Sequence, residues 1–423
     1  MRKALAALAG LLTAATASAT LTTAGTAGAA ESGQGVTPSS IKVGITYADV
    51  AKIRNLINVD PGNYQVAYTT LIDQINKAGG INGRKIVPVF APVDPLGTSG
   101  AATACTQLTE DDKVFVAVGF FQQVDTACSV QTHDTPIIGA SLTAAQSAAA
   151  RAPWFNNLAS SNDLIPKEMA TFKHEGVFNG KKVGVVSTSA DSVETSLVLP
   201  ALQSLHVNVV QNAVNSVPDT DTAAQVSEYG TIAQKFQSSG VNLVVAVGNS
   251  GNGWPASLQQ NQSSYMPRFI ATDYTDLNAY TANKAGHSNA ILKSVLTAGP
   301  IPPASVWWND PAMKKCIATI RKAEPTATIN NPVTATSSTP VTWTAPQTAC
   351  VQMALLTDIV KAAGKTLNNQ TFLKGGQSLT HVTLPGGGGT FNFSGGHNDG
   401  DGPVFIYTWS PSADNLVLAK SSG

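Results

Sequence analysis

Apolar residues alternate along this chain between two spacings, and each change of spacing marks an element. Ile41, Val43 and Ile45 recur at every second position, the period of a strand. Tyr64, Ala67, Tyr68, Leu71, Ile72 and Ile75 then return every three or four positions, the stripe of an amphipathic helix that buries one face. Gly79 and Gly80 stop that helix, because glycine takes the left-handed conformation that a helix end needs. Asn82-Gly83 turns the chain tightly into the apolar run from Ile86 to Phe90. Strand, long loop, helix and second strand in that order predict a parallel βαβ unit.

The alternation continues. A helix is expected over Thr98 to Glu110, a buried strand over Val114 to Val118 ending at Gly119, and a short strand over Pro136 to Gly139. Ligands of open α/β sheets bind beyond the carboxyl ends of the strands. Phe120-Phe121-Gln122-Gln123 and Ala140-Ser141-Leu142-Thr143 therefore fall where a pocket wall belongs. Beyond Ser161 the pattern restarts with a helix from Leu164 to Glu175, the strand Val183 to Ser187, a helix near Ser192 to Leu205 and the strand Val207 to Val210. A helix over Ala223 to Ser239, the strand Val241 to Val247, a helix after Trp254 and the strand Phe269 to Ala271 follow. This succession predicts a second doubly wound lobe. The helices Pro311 to Lys322 and Pro346 to Ala363 flank a Pro-, Thr- and Asn-rich loop, expected to be mobile because it has little apolar periodicity.

A length of 423 residues suits two lobes better than one core. The formal net charge is zero and only 12% of residues are charged, with no run of Lys or Arg, so nothing in the charge pattern points to a nucleic acid or an anionic membrane as partner. Arg2 and Lys3 precede an apolar Ala/Leu stretch and then small residues, the form of a secretory signal over residues 1–30. Its cleavage is expected after Ala29 or Ala30, with Ala17-Ser18-Ala19 as the alternative. The apolar core from Ala4 to Leu12 is too short to span a bilayer, and no other segment is long and apolar enough. The mature chain is thus expected to be exported, with no membrane insertion. No cysteine near the cleavage sites offers a lipid anchor.

The four cysteines suit an oxidising compartment. Cys105 lies near Cys128 and Cys316 near Cys350, so two local disulfides are the economical assignment among three possible pairings. With no Cys-x-x-Cys and no histidines at ligand spacing, no metal site is expected. Catalytic motifs fare no better. Gly248-Asn249-Ser250-Gly251 has its second glycine in the wrong place for a nucleophile elbow. His174-Glu175 lacks a second histidine at zincin spacing, and Gly386 to Gly389 lack the Lys-Ser/Thr of a phosphate loop. Trp307-Trp308, at the start of a loop, reads as packing. The expectation is a protein that is not an enzyme and has no cofactor.

The ordered run INKAGGINGRKI from Ile75 to Ile86 resembles the opening of the type I periplasmic binding proteins, especially the branched-chain amino acid (Leu/Ile/Val) binding family of ABC transporters. The resemblance continues through DPLGTSGAATACTQLTEDDKVFVAVG, from Asp94 to Gly119, and GGTFNFSGGHNDGDGPVFIYTW near the C-terminus, covering roughly residues 40 to 420. It implies an α/β fold of two doubly wound, Rossmann-like lobes joined by a three-segment hinge. The first lobe would comprise residues 40–157 and 299–387, the second 158–298 and 388–423. The crossings would be Trp154 to Ser161, Ser294 to Ala298, and a third after which Phe391 to Phe393 and Val404 to Trp409 complete the second lobe.

The resemblance also implies a small polar ligand held between the lobes and passed to an ABC transporter permease. The ligand would touch Gln122, Gln123, Ser141 and Thr143 from the first lobe and Ser192, Asn249, Asp273 and Tyr274 from the second. Thr143 falls where the family has a threonine and Asp273 where it has a glutamate. Gln123 stands in place of a serine, and Ser192 and Asn249 each in place of a tyrosine, which reshapes an amino acid pocket. An alternative function is a secreted ligand-sensing module that signals to a membrane receptor or partner protein.

Overall fold

In the computed structural model of the chain, Asn63 begins the first long helix, Tyr64–Lys77, by accepting a hydrogen bond from the Val66 N–H at 3.1 Å. That helix buries Ala67, Tyr68, Leu71 and Ile72, as its apolar stripe predicts. It ends at Gly79 and Gly80. A Cβ on Gly80, whose φ is +77°, would lie 2.0 Å from the Arg84 carbonyl oxygen, so the close return of the chain requires glycine there. Ile81 and Arg84 exchange both main-chain hydrogen bonds across Asn82-Gly83. The structure describes residues 32–53, 60–218, 220–282, 286–335, 339–396 and 398–419, except the side chains of 52, 53, 123, 124 and 161. The expected signal segment lies outside them.

The first sheet contains β1 (Ser40–Ala48), β2 (Lys85–Val93), β3 (Val116–Gly119), β4 (Ile137–Ile138) and β5 (Trp154–Phe155), all parallel, in the order β2-β1-β3-β4-β5. The second sheet opens with β6 (Val183–Thr188), β7 (Val209–Asn215), β8 (Leu243–Ala246), β9 (Arg268–Ala271) and β10 (Leu296–Gly299). These five are also parallel, in the order β7-β6-β8-β9-β10, so the same winding occurs twice. After a small ladder of β11 (Val382–Thr383) and β12 (Thr390–Phe391), β13 (Phe405–Ser410) and β14 (Asn415–Leu418) extend the second sheet antiparallel beyond β10.

Apolar clusters cover both faces of each sheet. This explains why β3, β6, β8 and β10 read as continuous apolar runs and not as alternating ones. The helix expected over Thr98 to Glu110 forms as Ser99–Thr106 and widens into a π turn over Gln107–Asp111. The strand expected over Val207 to Val210 starts two residues later and runs on as Val209–Asn215, and three further placements differ from expectation. The expected return crossing is instead β10, because Leu296 and Thr297 pair on one side with β9 and Leu296 to Gly299 on the other with β13; the chain leaves the sheet after Gly299. Phe391 and Phe393 pack in the cluster around the first sheet, with the Phe393 ring 6.1 Å from Phe155, and not in the second lobe. Trp254, expected to precede a helix, lies fully buried within Ser250–Gln260. In the loop expected to be mobile, Ile329 is buried and the Asn330 N–H donates to Thr342 Oγ1 at 2.9 Å.

The two sheets are linked by three crossings. On the first, the Asn156 N–H donates to the Asn398 carbonyl at 3.0 Å, and the Gly400 N–H donates to the Asn156 carbonyl at 2.7 Å. The third crossing is thus zipped onto the first. The second runs through Pro300, Pro302 and Pro303 into the helix Ala304–Trp307, where Trp307 meets Trp308 edge to face at 5.5 Å.

Disulfides join Cys105 to Cys128 and Cys316 to Cys350, the latter stapling the helices Pro311–Ala323 and Thr344–Ala363. Their sequence separations are 23 and 34 residues. In the chain-entropy account each restrains the unfolded chain by about 3–4 kcal/mol. Replacing Cys316 and Cys350 together by alanine is expected to lower the unfolding free energy by about 3 kcal/mol in urea titrations; an unchanged midpoint would show that the bridge contributes nothing.

Candidate functional site

Asp191, just after β6, organises the carboxyl edge of the second sheet. Nearly buried, it accepts from the Thr188 N–H at 3.1 Å, the Thr188 hydroxyl at 2.8 Å and the Asn249 N–H at 3.2 Å. The ends of β6 and β8 are thereby tied together. Thr272 extends the tie to β9 by accepting from the Gly248 N–H at 3.1 Å. Next to it, Asp273 Oδ1 takes the N–H groups of Thr275 at 2.6 Å and Asp276 at 3.2 Å, turning the chain into the helix Tyr274–Ala282. Ser192, Asn249 and Asp273 are all exposed on this edge. Burial, reinforced by the charges of Asp273 and Asp191, pushes the Asp276 carboxyl up to about 6.

The first sheet has its own close-packed edge. Gly119 ends β3 with φ +135°, and a Cβ there would lie 1.9 Å from the Thr46 carbonyl oxygen, so the strands can meet this closely only with glycine. Gln122 follows. Its N–H donates to Asp125 Oδ1 at 2.6 Å and its side chain reaches the Asp94 carbonyl at 3.5 Å. Gln123 opens the helix Gln123–Ala127, but its side chain lies outside the described residues.

Two first-lobe residues have structural duties that the sequence did not announce. The Ser141 hydroxyl donates to Asp399 Oδ1 at 2.7 Å and accepts from Asn156 Nδ2 at 2.8 Å. Its single hydrogen is therefore engaged in bracing the zipped crossings. Thr143 caps the helix Ala144–Ala149: its Oγ1 accepts from the Gln146 N–H at 3.2 Å, and Gln146 Oε1 accepts from the Thr143 N–H at 3.0 Å. The cap uses a lone pair of the hydroxyl, not its hydrogen.

A cavity of about 480 Å³ opens beside Asp273 and Tyr274, at the ends of β9 and β10. Its walls include the proline-rich second crossing, Trp307 beyond it and Glu168 from the helix Ser161–His174. None of Gln122, Ser141 or Thr143 lines it. Tyr274 and Tyr407 pack with ring centroids 5.0 Å apart, and the Tyr407 hydroxyl donates to the Ile301 carbonyl. Glu168 is 1% exposed, and among the described residues neither of its carboxyl oxygens has a hydrogen-bond partner. Burial, then the neighbouring charge of Asp273, holds its pKa well above the ordinary carboxylate range. Sequence reasoning missed Glu168, although a signal was present. Ile165, Glu168, Met169 and Phe172 fall at i, i+3, i+4 and i+7, which places an acid on the buried stripe of its helix.

The sequence matches the family described as periplasmic binding protein over residues 63–415. The chain belongs to that family. Comparison with curated proteins finds no match to the sequence of this binding protein. Among solved structures, it is similar to an ABC transporter substrate-binding protein from Desulfitobacterium hafniense in complex with Leu, at 14% identity and a TM-score of 0.61, covering 90% of this chain and 100% of that one. A branched-chain amino acid ABC transporter protein from Rhodospirillum rubrum is similar at 12% identity and a TM-score of 0.60, with the same coverages. So is an ABC transporter solute binding protein from Rhodopseudomonas palustris in complex with p-hydroxybenzoic acid, at 12% identity and a TM-score of 0.57, covering 90% of this chain and 96% of that one. At these identities the likeness shows the fold. Among the described residues, no helix of this binding protein is long and apolar enough to cross a membrane.

The buried acid has a consequence for pH. A carboxyl whose folded-state pKa is raised binds its proton more tightly when folded, so it favours folding below the ordinary glutamate value of about 4.3 and progressively less as pH climbs through the folded value. Relative to Glu168→Gln, which has no such proton, the wild-type protein without ligand is therefore expected to lose melting temperature as pH rises from about 4.5 upward. Parallel melting curves for the two proteins across that range would show that Glu168 is not held protonated.

Proposed function

We propose that this chain is an extracytoplasmic solute-binding protein that takes a small ligand between its two lobes and delivers it to the permease of an ABC importer. The family match across residues 63–415 carries this reading, on a chain that winds two sheets alike and joins them by three crossings. Rotation about zipped crossings opens and shuts a cleft without letting the lobes drift apart, the mechanics that a clamshell binder needs. The proposed ligand edge is formed by Thr143, Gln122 and Gln123 on one side and by Ser192, Asn249, Asp273 and Tyr274 on the other. In this reading binding and presentation are the whole task, and the chain is not an enzyme. Structurally similar proteins have been seen in complex with Leu and with p-hydroxybenzoic acid, so the fold accommodates more than one chemistry.

The test begins with denaturing the purified protein and identifying by mass spectrometry any small molecule released. Restoring that molecule to the emptied protein is expected to reduce the radius of gyration in small-angle scattering, because ligand favours the state it binds more tightly. An unchanged radius at saturation would sink the clamshell reading.

Both central residues also cap helices, and this dictates the substitutions. Thr143→Val would remove a cap and cost about 1 kcal/mol of stability in addition to any loss of binding. Asp273→Asn keeps an acceptor for the Thr275 and Asp276 N–H groups while deleting the charge. It is expected to weaken the identified ligand by about tenfold to a hundredfold in calorimetry, with little change in melting temperature. Wild-type affinity in Asp273→Asn would move the site elsewhere.

A further inference from the structure

We propose that a cavity on the flank of the second lobe, between the helix Ser161–His174 and the strands β10, β13 and β14, binds a small apolar monocarboxylate. Arg268 takes the carboxylate, and the apolar body lies along Leu296, Ile406 and Leu418. This site is separate from the proposed ligand edge between the lobes. Arg268 and Leu296 open β9 and β10, so they sit at the opposite ends of these strands from Asp273 and Gly299.

The cavity follows from how the second sheet is covered. On one face of its parallel strands, Ile165, Met169 and Phe172 of the helix join Val245, Ile270 and Ala298 in a single buried cluster. The antiparallel strands β13 and β14 then extend the sheet beyond β10. Here the cover thins. Val404 and Ile406 pack against the cluster but are only partly buried, and Leu418 is 42% exposed. The space left beside them, about 510 Å³, is walled on the helix side by Thr171, Glu175 and Val177. It has room for a ring or a short alkyl chain with a polar head.

Arg268 sets the chemistry of that head. Half-buried in the wall, it donates its Nε–H to the Ser294 carbonyl at 3.2 Å, and among the described residues its two terminal nitrogens have no partner. Burial also lowers the pKa of the guanidinium, the effect of taking a charge out of water. A guanidinium presents a planar fork that a carboxylate meets with two parallel N–H···O bonds. The other charged residue on the wall is Glu175, and its Oε1 already lies 3.4 Å from His174 Nδ1. The open group is thus the cation. A small hydrated anion would gain nothing from the apolar floor, which favours an organic acid.

Sodium 4-phenylbutyrate and its uncharged analogue 4-phenyl-1-butanol provide the test, titrated calorimetrically at neutral pH into the purified protein after exhaustive dialysis. The carboxylate is expected to bind at least about tenfold more tightly than the alcohol, and Arg268→Gln to remove that preference. Leu418→Glu alters an exposed position, so it leaves the fold intact while adding a negative charge and removing apolar contact. It is expected to weaken carboxylate binding by about tenfold, and the outcome therefore does not hang on Arg268→Gln folding. Binding of neither probe or equal binding of both would overturn the inference. So would a carboxylate affinity unchanged in both variants, which would put the bound acid elsewhere on the protein, the cleft included.

Discussion

The main chain of Asn156 exchanges hydrogen bonds with Asn398 and Gly400, and this short zipper is the constraint on which the two-lobed arrangement depends. It turns two separate crossings into one connector, braced from both sides. Ser141, at the end of the first sheet, donates to Asp399, and Lys167, on the first helix of the second lobe, pairs with Asp401. These side-chain contacts anchor the connector, which belongs to neither sheet, to both lobes. The remaining crossing is built differently. Its prolines fix their own backbone and offer no N–H to satisfy, and the Tyr407 hydroxyl holds the Ile301 carbonyl between them.

With the connector fixed, the repeated winding order determines where chemistry can gather. In each sheet the first and third strands in chain order lie side by side, so their carboxyl ends sit next to each other and the connections leave in opposite directions. The first sheet uses this place for close contact, Gly119 against Thr46, and the second uses it for an acid, Asp191, bonded to both neighbouring strand ends. The acids of the second edge are unequal in exposure. Asp273 stays in water, Asp276 is half-buried, and Glu168 is sealed behind them. A sealed carboxyl opposes folding where it is ionised, and burial answers that cost by holding the proton on Glu168.

The first βαβ unit was legible almost residue by residue, because a stripe at helical spacing, a glycine stop and an Asn-Gly turn are local signals that agree. Both disulfide pairs were legible from their proximity in sequence. The strand-end loops were identified correctly as loops, but their side-chain partners were not, since Ser141 meets an acid 258 residues away. Phe391 and Phe393 were misplaced for the same reason: an apolar pair shows that it will be buried, not in which of two cores.

What the sequence determined by itself is the succession of strands and helices, since each depends on residues within a few positions of one another. It also specified the local stop of the first long helix at Gly79-Gly80 and the turn at Asn82-Gly83 that follows it. Only the tertiary structure decided that β10 is a strand and not a crossing, because its pairing comes from β9 and from β13, more than a hundred residues later. Only the tertiary structure brought Glu168 to the wall that Asp273 shares. The helical spacing could show an acid on a buried face, but whether that face meets a counter-charge, a water or an open cavity depends on chain segments far away in sequence.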